Sequence, residues 1–410
     1  MQMSALKRPN RREFLRWTAL TGAATGLATH ATNTPPNNGL NEVRSYRRLG
    51  RTNLQISDIS FGSAALRRGQ EDVVRHALDR GINYFDSAYG YTRGAAEQVL
   101  GNVFQGMRDK VVLVSKVEGK ADWSKEQMMS HLDQSLTRLK TDYIDVYMAH
   151  AVNDVNRLKS PEWHEFAHLA KKQGKIRFVG MSGHAGYLVH CLDYALDQDM
   201  VDVILCAYNF NQDPEFLSKL TRSVNWIAKQ PELPRVLRKA KELDVGTVVM
   251  KTLHGARLND MRPYETQGTT FAQAAFRWVL SNTDVDALVV TMRDRERIDE
   301  YLGASGSHQL ALGDLELLQR YAKLNGSSYC RHACNDCSGA CPFGVDIADV
   351  LRTRMYATDY QDVELARDEY AKIETNASAC LNCSGEPCRN ACSHGIKIDE
   401  FCAPTHRMLA

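Results

Sequence analysis

A (β/α)8 TIM barrel of parallel strands, followed by a small cysteine-rich helical tail, is the architecture this 410-residue chain predicts. Three observations point there. Eight short β-branched runs alternate with amphipathic helical stretches over residues 46–304, and strands separated by helices pair in parallel. That span is close to the roughly 250 residues such a barrel uses. A doubly wound sheet, the other way to arrange the same alternation, needs a glycine-rich first turn for a nucleotide, and no Gly-x-Gly-x-x-Gly occurs.

The elements follow in order. Run 56–61 reads Ile-Ser-Asp-Ile-Ser-Phe and precedes a helical stretch at 70–79. Run 84–87 precedes the least regular helix, near 94–103. Runs 111–116 and 143–150 lead into amphipathic stretches at 125–139 and 162–172. Run 177–182 pairs with helix 187–196, 203–209 with 234–243, 247–251 with 271–280, and 287–291 with 296–302. The strand pattern then stops. Residues 305–326 hold one connecting helix and a linker, and 327–410 are mostly short helices.

Composition narrows the function classes. Lys and Arg number 51 against 49 Asp and Glu, so the basic excess of a nucleic-acid binder is missing. No 18-residue apolar stretch exists, which argues against an integral membrane protein. Residues 1–31 read as an address rather than a fold. Asn10-Arg11-Arg12-Glu13-Phe14-Leu15-Arg16 resembles a twin-arginine export signal, and the apolar run 17–28 is too short to span a bilayer. Processing after Ala28 or Ala31 and a turn-rich linker at 32–45 complete the pattern. An accidental arginine pair in a disordered basic terminus is the plainer alternative.

In such a barrel, chemistry sits at the C-terminal strand ends. Those positions offer Asp86, Tyr91, Lys116 and His150, titratable groups that end or follow apolar runs. Asn83-Tyr84-Phe85-Asp86-Ser87-Ala88, Tyr91 and Glu97-x2-Leu100-Gly101 resemble the aldo-keto reductase signature. Val112-Leu-Val-Ser-Lys116, the stretch from Asp142 to His150, and Lys175-Ile-Arg-Phe-Val-Gly-Met-Ser182 are similar to later blocks of that family. The resemblance implies a catalytic tetrad of Asp86, Tyr91, Lys116 and His150 and a small carbonyl or alcohol substrate. A phenol with a pKa of about 10 needs roughly 4 kcal/mol to become an effective acid near neutrality. One ammonium about 4 Å away supplies that at an effective dielectric near 20. Lys116 is the candidate ammonium, Asp86 its anchor, and His150 the group that positions the substrate oxygen. An Asp86–Lys116 ion pair that merely fills the barrel mouth is the structural alternative.

The resemblance also implies NADP(H) or NAD(H). Ser182-Gly183-His184 stand where the family presents Ser-Asn to the nicotinamide amide, and Leu205 replaces a usual Gln. Tyr208 matches the aromatic that stacks on the ring, with Asn209 beside it. Lys251, in Val248-Val-Met-Lys251 with Gly255, and Arg293 and Arg295 complete the candidate cofactor contacts, with Arg297 and Tyr301 in the same late block. An arginine can grip a 2′-phosphate bidentately, or simply start a solvated helix.

Eight of the eleven cysteines lie between Cys330 and Cys392. Cys330-x3-Cys334-x2-Cys337-x3-Cys341-Pro342 and Cys380-x2-Cys383-x4-Cys388-x3-Cys392 resemble two-cluster ferredoxins, in which each fourth Cys serves the other cluster. That resemblance implies two [4Fe-4S] clusters, one on Cys330, Cys334, Cys337 and Cys392, the other on Cys380, Cys383, Cys388 and Cys341. Disulfides, four-cysteine zinc sites or a single cluster use the same residues. Cys191 and Cys206 read as core, and Cys402 has no evident partner.

Address, barrel and tail together resemble exported aldo-keto reductases with a C-terminal ferredoxin-like domain. They imply the twin-arginine machinery as a partner, a periplasmic or other extracytoplasmic location, and an electron-transfer partner as an open question. A clusters-only reading, an electron-transfer or binding protein whose barrel no longer turns over nicotinamide, uses the same tail. Substrate determinants are placed in loops 151–161 and 212–230.

Overall fold

Side-chain alternation along each strand sorts the barrel into two apolar layers. Tyr84, Val112, Val114, Val146, Met148, Val203, Leu205, Val248, Ala287 and Val289 fill the interior. Their strand neighbours, among them Phe61, Phe85, Leu113, Tyr147, Ile204 and Cys206, face the helices. This period-two alternation follows from the pleat. The structure, a computed structural model, describes residues 41–212, 230–253, 260–265, 269–325, 329–332, 334–384 and 387–410. The export signal, most of the linker, most of loop 212–230 and Gly255 lie outside the described residues.

Ten strands are described: β1 (Tyr46–Arg48), β2 (Gln55–Ser57), β3 (Ile59–Gly62), β4 (Tyr84–Asp86), β5 (Val112–Val117), β6 (Ile144–Ala149), β7 (Ile176–Gly183), β8 (Val203–Ala207), β9 (Gly246–Met250) and β10 (Ala287–Thr291). β3 to β10 close a barrel of eight parallel strands, sealed by β10 on β3 with Leu288 opposite Ile59. The helices around it are α1 (Glu71–Asp79), α2 (Ala95–Phe104), α3 (Lys125–Leu139), α4 (Val155–Lys159), α5 (Pro161–Lys172), α6 (Leu188–Asp197), α7 (Leu233–Glu242), α8 (Phe271–Leu280) and α9 (Arg295–Leu302). The short α4 falls where the sequence predicts only a loop.

The predicted strand 56–61 is in fact two strands. β2 pairs antiparallel with β1 as a hairpin, whose Leu49 and Ile56 plug the lower end of the interior. The break is Asp58. Its N–H bonds back to the Ser45 carbonyl in the hairpin, while its carbonyl accepts from Leu288 in the barrel. The buried carboxylate accepts from Ser305 Oγ at 2.6 Å and the Gly306 N–H at 2.8 Å. One residue therefore ends the plug and begins the barrel.

Two motif residues prove to be packing devices. Glu97 on α2 is fully buried and accepts from Ser115 Oγ at 2.6 Å and from Arg138 at 3.3 Å. Gly101, one turn on, lets α2 lie against α3, since a Cβ there would meet the Arg138 carbonyl oxygen at 2.4 Å.

Beyond the barrel, α10 (Leu312–Asn325) docks on α8 through a buried Arg277–Asp314 pair at 2.6 Å and Phe271 stacked on Tyr321. The tail holds α11 (Ile347–Thr358), α12 (Val363–Tyr370) and α13 (Ile398–Leu409). It has its own core, built on Ile347, Val350, Ala366, Tyr370, Ile398 and Cys402.

Candidate active site and cysteine centre

β4, β5 and β6 deliver the four tetrad candidates to the mouth of the barrel. Lys116 Nζ, on a side chain only 1 % exposed, donates to Asp86 Oδ1 at 2.6 Å and to the Ser87 carbonyl at 2.6 Å. The same ammonium lies 5.1 Å from the centre of the Tyr91 ring. Tyr91 and His150 meet edge to face with centroids 5.6 Å apart. Four residues from three strand ends and a loop thus form one contiguous group.

Its electrostatics differ from the expectation in one respect. Burial pushes the Tyr91 phenol well above its ordinary value, and Asp86, Glu369 and Glu118 add to the push. The Lys116 charge does not outweigh them, because its partner Asp86 cancels much of it. Burial also pulls Lys116 down and raises Asp86, while their mutual contact opposes both shifts. His150 is drawn down by burial, which favours the neutral imidazole. Glu118 Oε1 lies 3.2 Å from His150 Nδ1, and that contact holds the carboxyl down to about 2. The sequence reading missed Glu118, although it lies two residues beyond Lys116 at the same strand end.

The cofactor candidates divide. Tyr208 faces the helices, not the mouth: its ring packs on Trp278 at 5.1 Å and its hydroxyl accepts from Asn282 at 3.0 Å. It is therefore unavailable for stacking on a nicotinamide in this arrangement. Asn209 Nδ2 donates to the Lys251 carbonyl at 3.2 Å, steadying a lysine in the left-handed region with φ of 59°. The Lys251 ammonium has no ion-pair partner among the described residues, and burial, with Arg352 nearby, brings it down to about 8. Ser182 Oγ accepts from the Ala151 N–H at 3.0 Å. Arg293 reaches Asp362 of the tail at 2.9 Å, whereas Arg295 pairs with Asp72 at 2.9 Å on the outer surface. Lys251 and Arg293 thus stand just beyond the ends of β9 and β10 at the mouth, while Tyr208 and Arg295 point elsewhere.

The tail covers this mouth. Asp362 also accepts from Arg67 at 2.6 Å, Asp368 pairs with Arg93, and Glu374 with Lys120. Glu369 and Tyr356 lie near enough to raise the Tyr91 phenol, and Arg352 near enough to lower Lys251. None of these tail residues was singled out from the sequence.

The cysteines gather in two groups. Cys330, Cys334, Cys337 and Cys392 line one small cavity with Leu351, Ile396 and Ile398. Burial pushes the Cys330 thiol up to about 12, and the other three add to the rise. Cys380 is likewise raised by burial and by Cys341, Cys388 and Cys383. These are the two sets of four that the ferredoxin resemblance implies, with the fourth cysteines exchanged. No disulfide joins any cysteine. Two neighbouring sets of four soft thiols fit iron-sulfur ligation by their donor chemistry. Ligand-type atoms of Cys334, Asp336 and His394 also lie within 4.8 Å of one another at the first group. Cys402 is not partnerless: its buried thiol, still free, lies in hydrogen-bonding reach of the Cys380 thiol.

Comparison with known proteins agrees with the barrel geometry. Residues 58–320 match the model of the Aldo/keto reductase family. An uncharacterised oxidoreductase of Bacillus subtilis is 25% identical over 303 residues, covering 68% of this chain and 96% of that protein. L-galactose dehydrogenase of Arabidopsis thaliana is 27% identical over 286 residues, covering 63% and 87%. L-glyceraldehyde 3-phosphate reductase of Escherichia coli K12 is 24% identical over 320 residues, covering 67% and 92%. An aldo-keto reductase from Bacillus halodurans, solved in its holo form, superposes with a TM-score of 0.53 at 22% identity, over 68% of this chain and 96% of its own, and shares the fold. Among the described residues, no helix is long and apolar enough to cross a membrane. With eight parallel strands closed into a barrel and a family match over most of that barrel, the chain belongs to the aldo/keto reductase family and is an oxidoreductase.

Proposed function

We propose that the chain interconverts a small carbonyl and its alcohol with NADP(H) or NAD(H), using Tyr91 as general acid and base. The observation that carries this reading is the buried Lys116–Asp86 pair at 2.6 Å beside the Tyr91 ring, with His150 against the same ring. When bound, the nicotinamide supplies or removes hydride. Tyr91 supplies or removes the proton on the substrate oxygen. The neutral His150 imidazole hydrogen-bonds that oxygen and fixes its direction, and Glu118 orients the ring from Nδ1. Lys251 and Arg293 hold nucleotide phosphates. Two relatives are named for a sugar and a triose phosphate, which supports a polar, hydroxylated substrate. Purified protein is expected to oxidise NADPH with such an aldehyde, and Tyr91→Phe to lower kcat by about a thousandfold or more. An unchanged rate in that variant removes the assignment.

The tail, in this reading, carries two [4Fe-4S] clusters on its two cysteine sets. Protein purified without oxygen is expected to contain iron and acid-labile sulfide in equal amounts. Iron without sulfide, or zinc alone, removes the clusters. The arginine pair at Arg11-Arg12 supports export of the folded, loaded protein by the twin-arginine route to an extracytoplasmic space. Nucleotide is then carried out already bound. Fractionation that finds the mature protein only in the cytoplasm overturns this. The clusters move one electron each and a hydride two, so a direct flow between them is not part of the proposal. A second reading, an electron-transfer protein with an idle barrel, is favoured by the tail lying across the mouth. Redox-active clusters without hydride chemistry on any tested carbonyl would select it.

A further inference from the structure

Arg67 and Arg293 rise from the ends of β3 and β10, the paired strands at the seam of the barrel. Both guanidinium groups converge on one carboxylate that comes from the tail. Asp362 Oδ1 accepts from Arg67 Nη2 at 2.6 Å, and Oδ2 from Arg293 Nη1 at 2.9 Å. Asp362 is only 6 % exposed, and the ring of Tyr360 lies 5.4 Å from the Arg293 guanidinium. Two arginines from separate loops that share one oxyanion, one oxygen each, form a site shaped for a tetrahedral or planar anion. The chain fills that site with its own side chain, borrowed from a segment 295 residues away from Arg67.

We propose that the Arg67–Arg293 pair is a phosphate site for the nicotinamide nucleotide, and that Asp362 is a built-in competitor that must leave it before the nucleotide binds. This rests on the nucleotide-dependent reading above. In the closed state the corner between α11 and α12, with Asp362 at its centre, lies clamped over the seam. In the open state that corner lifts, the two arginines turn to the phosphate, and Asp362 keeps only its bond from the Leu365 N–H at the start of α12. The apparent affinity for nucleotide is then the intrinsic affinity scaled by the fraction of molecules with the corner lifted. An amide at this position retains the cap on α12, because Asn serves as well as Asp at an N-cap, but it loses the charge that competes.

The test is fluorescence titration of the full-length, cluster-loaded protein with NADPH and with NADH. Asp362→Asn is expected to bind NADPH roughly tenfold more tightly than the wild type. Arg293→Gln is expected to weaken binding in both the wild-type and the Asp362→Asn background. A gain confined to NADPH places the 2′-phosphate where Asp362 now sits, and an equal gain with NADH places the pyrophosphate there. Nucleotide binding that Asp362→Asn leaves unchanged or weakens overturns the competitor role alone. No binding in any variant overturns the nucleotide reading, and the competitor with it. A second measurement needs no variant. Saturating NADPH is expected to speed amide hydrogen exchange across residues 359–365 of the wild-type chain, and slower or unaltered exchange there counts against the proposal.

Discussion

Lys251 shows what a single residue at the mouth costs and why it is kept. It adopts a left-handed backbone, it is poorly exposed, and its ammonium sits near Arg352 with no carboxylate bonded to it among the described residues. Its value of about 8 in the folded chain lies below the roughly 10.4 of an unfolded lysine. Between those values the unfolded chain binds more protons, so stability rises as pH climbs through that window, and the full cost is present below it. Lys251→Met is therefore expected to raise the melting temperature at pH 7 by a few degrees. The gain should shrink above about pH 10, and nucleotide affinity should fall. Calorimetry across pH checks the first two, and titration the third. At this scale the sequence was informative where a residue ends a strand. Asp86, Lys116 and His150 were legible for that reason, and the structure brings them together with Tyr91. Tyr208 was misplaced because its side follows strand parity: Val203 and Leu205 point inward, whereas Ile204, Cys206 and Tyr208 point outward. Counting parity along 203–209 could have shown it. Asp362 gave no such signal, since its role exists only through loops far away in sequence.

At the scale of elements, β-branched runs and helical periodicity located all eight barrel strands, and the weakest prediction, near 94–103, is a helix, α2. The hairpin of β1 and β2 was not legible. Ile56 to Phe61 reads as one apolar run, and only the buried bonds of Asp58 show where it divides. The helix α2 also explains a motif that resemblance alone left unexplained. Gly101 is required by the approach of α3, not by chemistry. Gly101→Ala would force the two helices apart against backbone atoms, and is expected to lower the unfolding free energy by about 1–3 kcal/mol. Denaturant unfolding checks this, and kcat per folded molecule should hold near its wild-type value.

Among the described residues, the barrel has an inner apolar layer and an outer one against its helices, and the tail has a hydrophobic core of its own. Six of the eight clustered cysteines pack against the tail core, so metal held by them would stabilise the same small unit as the apolar packing. Metal that binds only the folded tail adds its binding free energy to that unit's stability. The loaded protein is expected to melt in two calorimetric transitions. Anaerobic chelation of iron should move the tail transition down by ten degrees or more, with the barrel transition in place. A transition indifferent to iron removal would contradict the clusters. The change from barrel to tail was legible where the strand pattern stops after residue 304 and the clustered cysteines begin at Cys330. The arrangement of the tail over the mouth was not, since it depends on ion pairs between exposed-looking charges scattered across both parts.

The plug of Leu49 and Ile56 closes the lower end of the barrel, and the tail lies across the upper end. Among the described residues, the way to the tetrad runs through the end of the barrel that the tail lies across. A nucleotide and a substrate that share this entrance would both be gated by movement of the tail. Under saturating conditions the first turnover would outrun those that follow, leaving an initial burst of product that scales with the amount of enzyme, and the steady rate would measure that movement rather than the hydride.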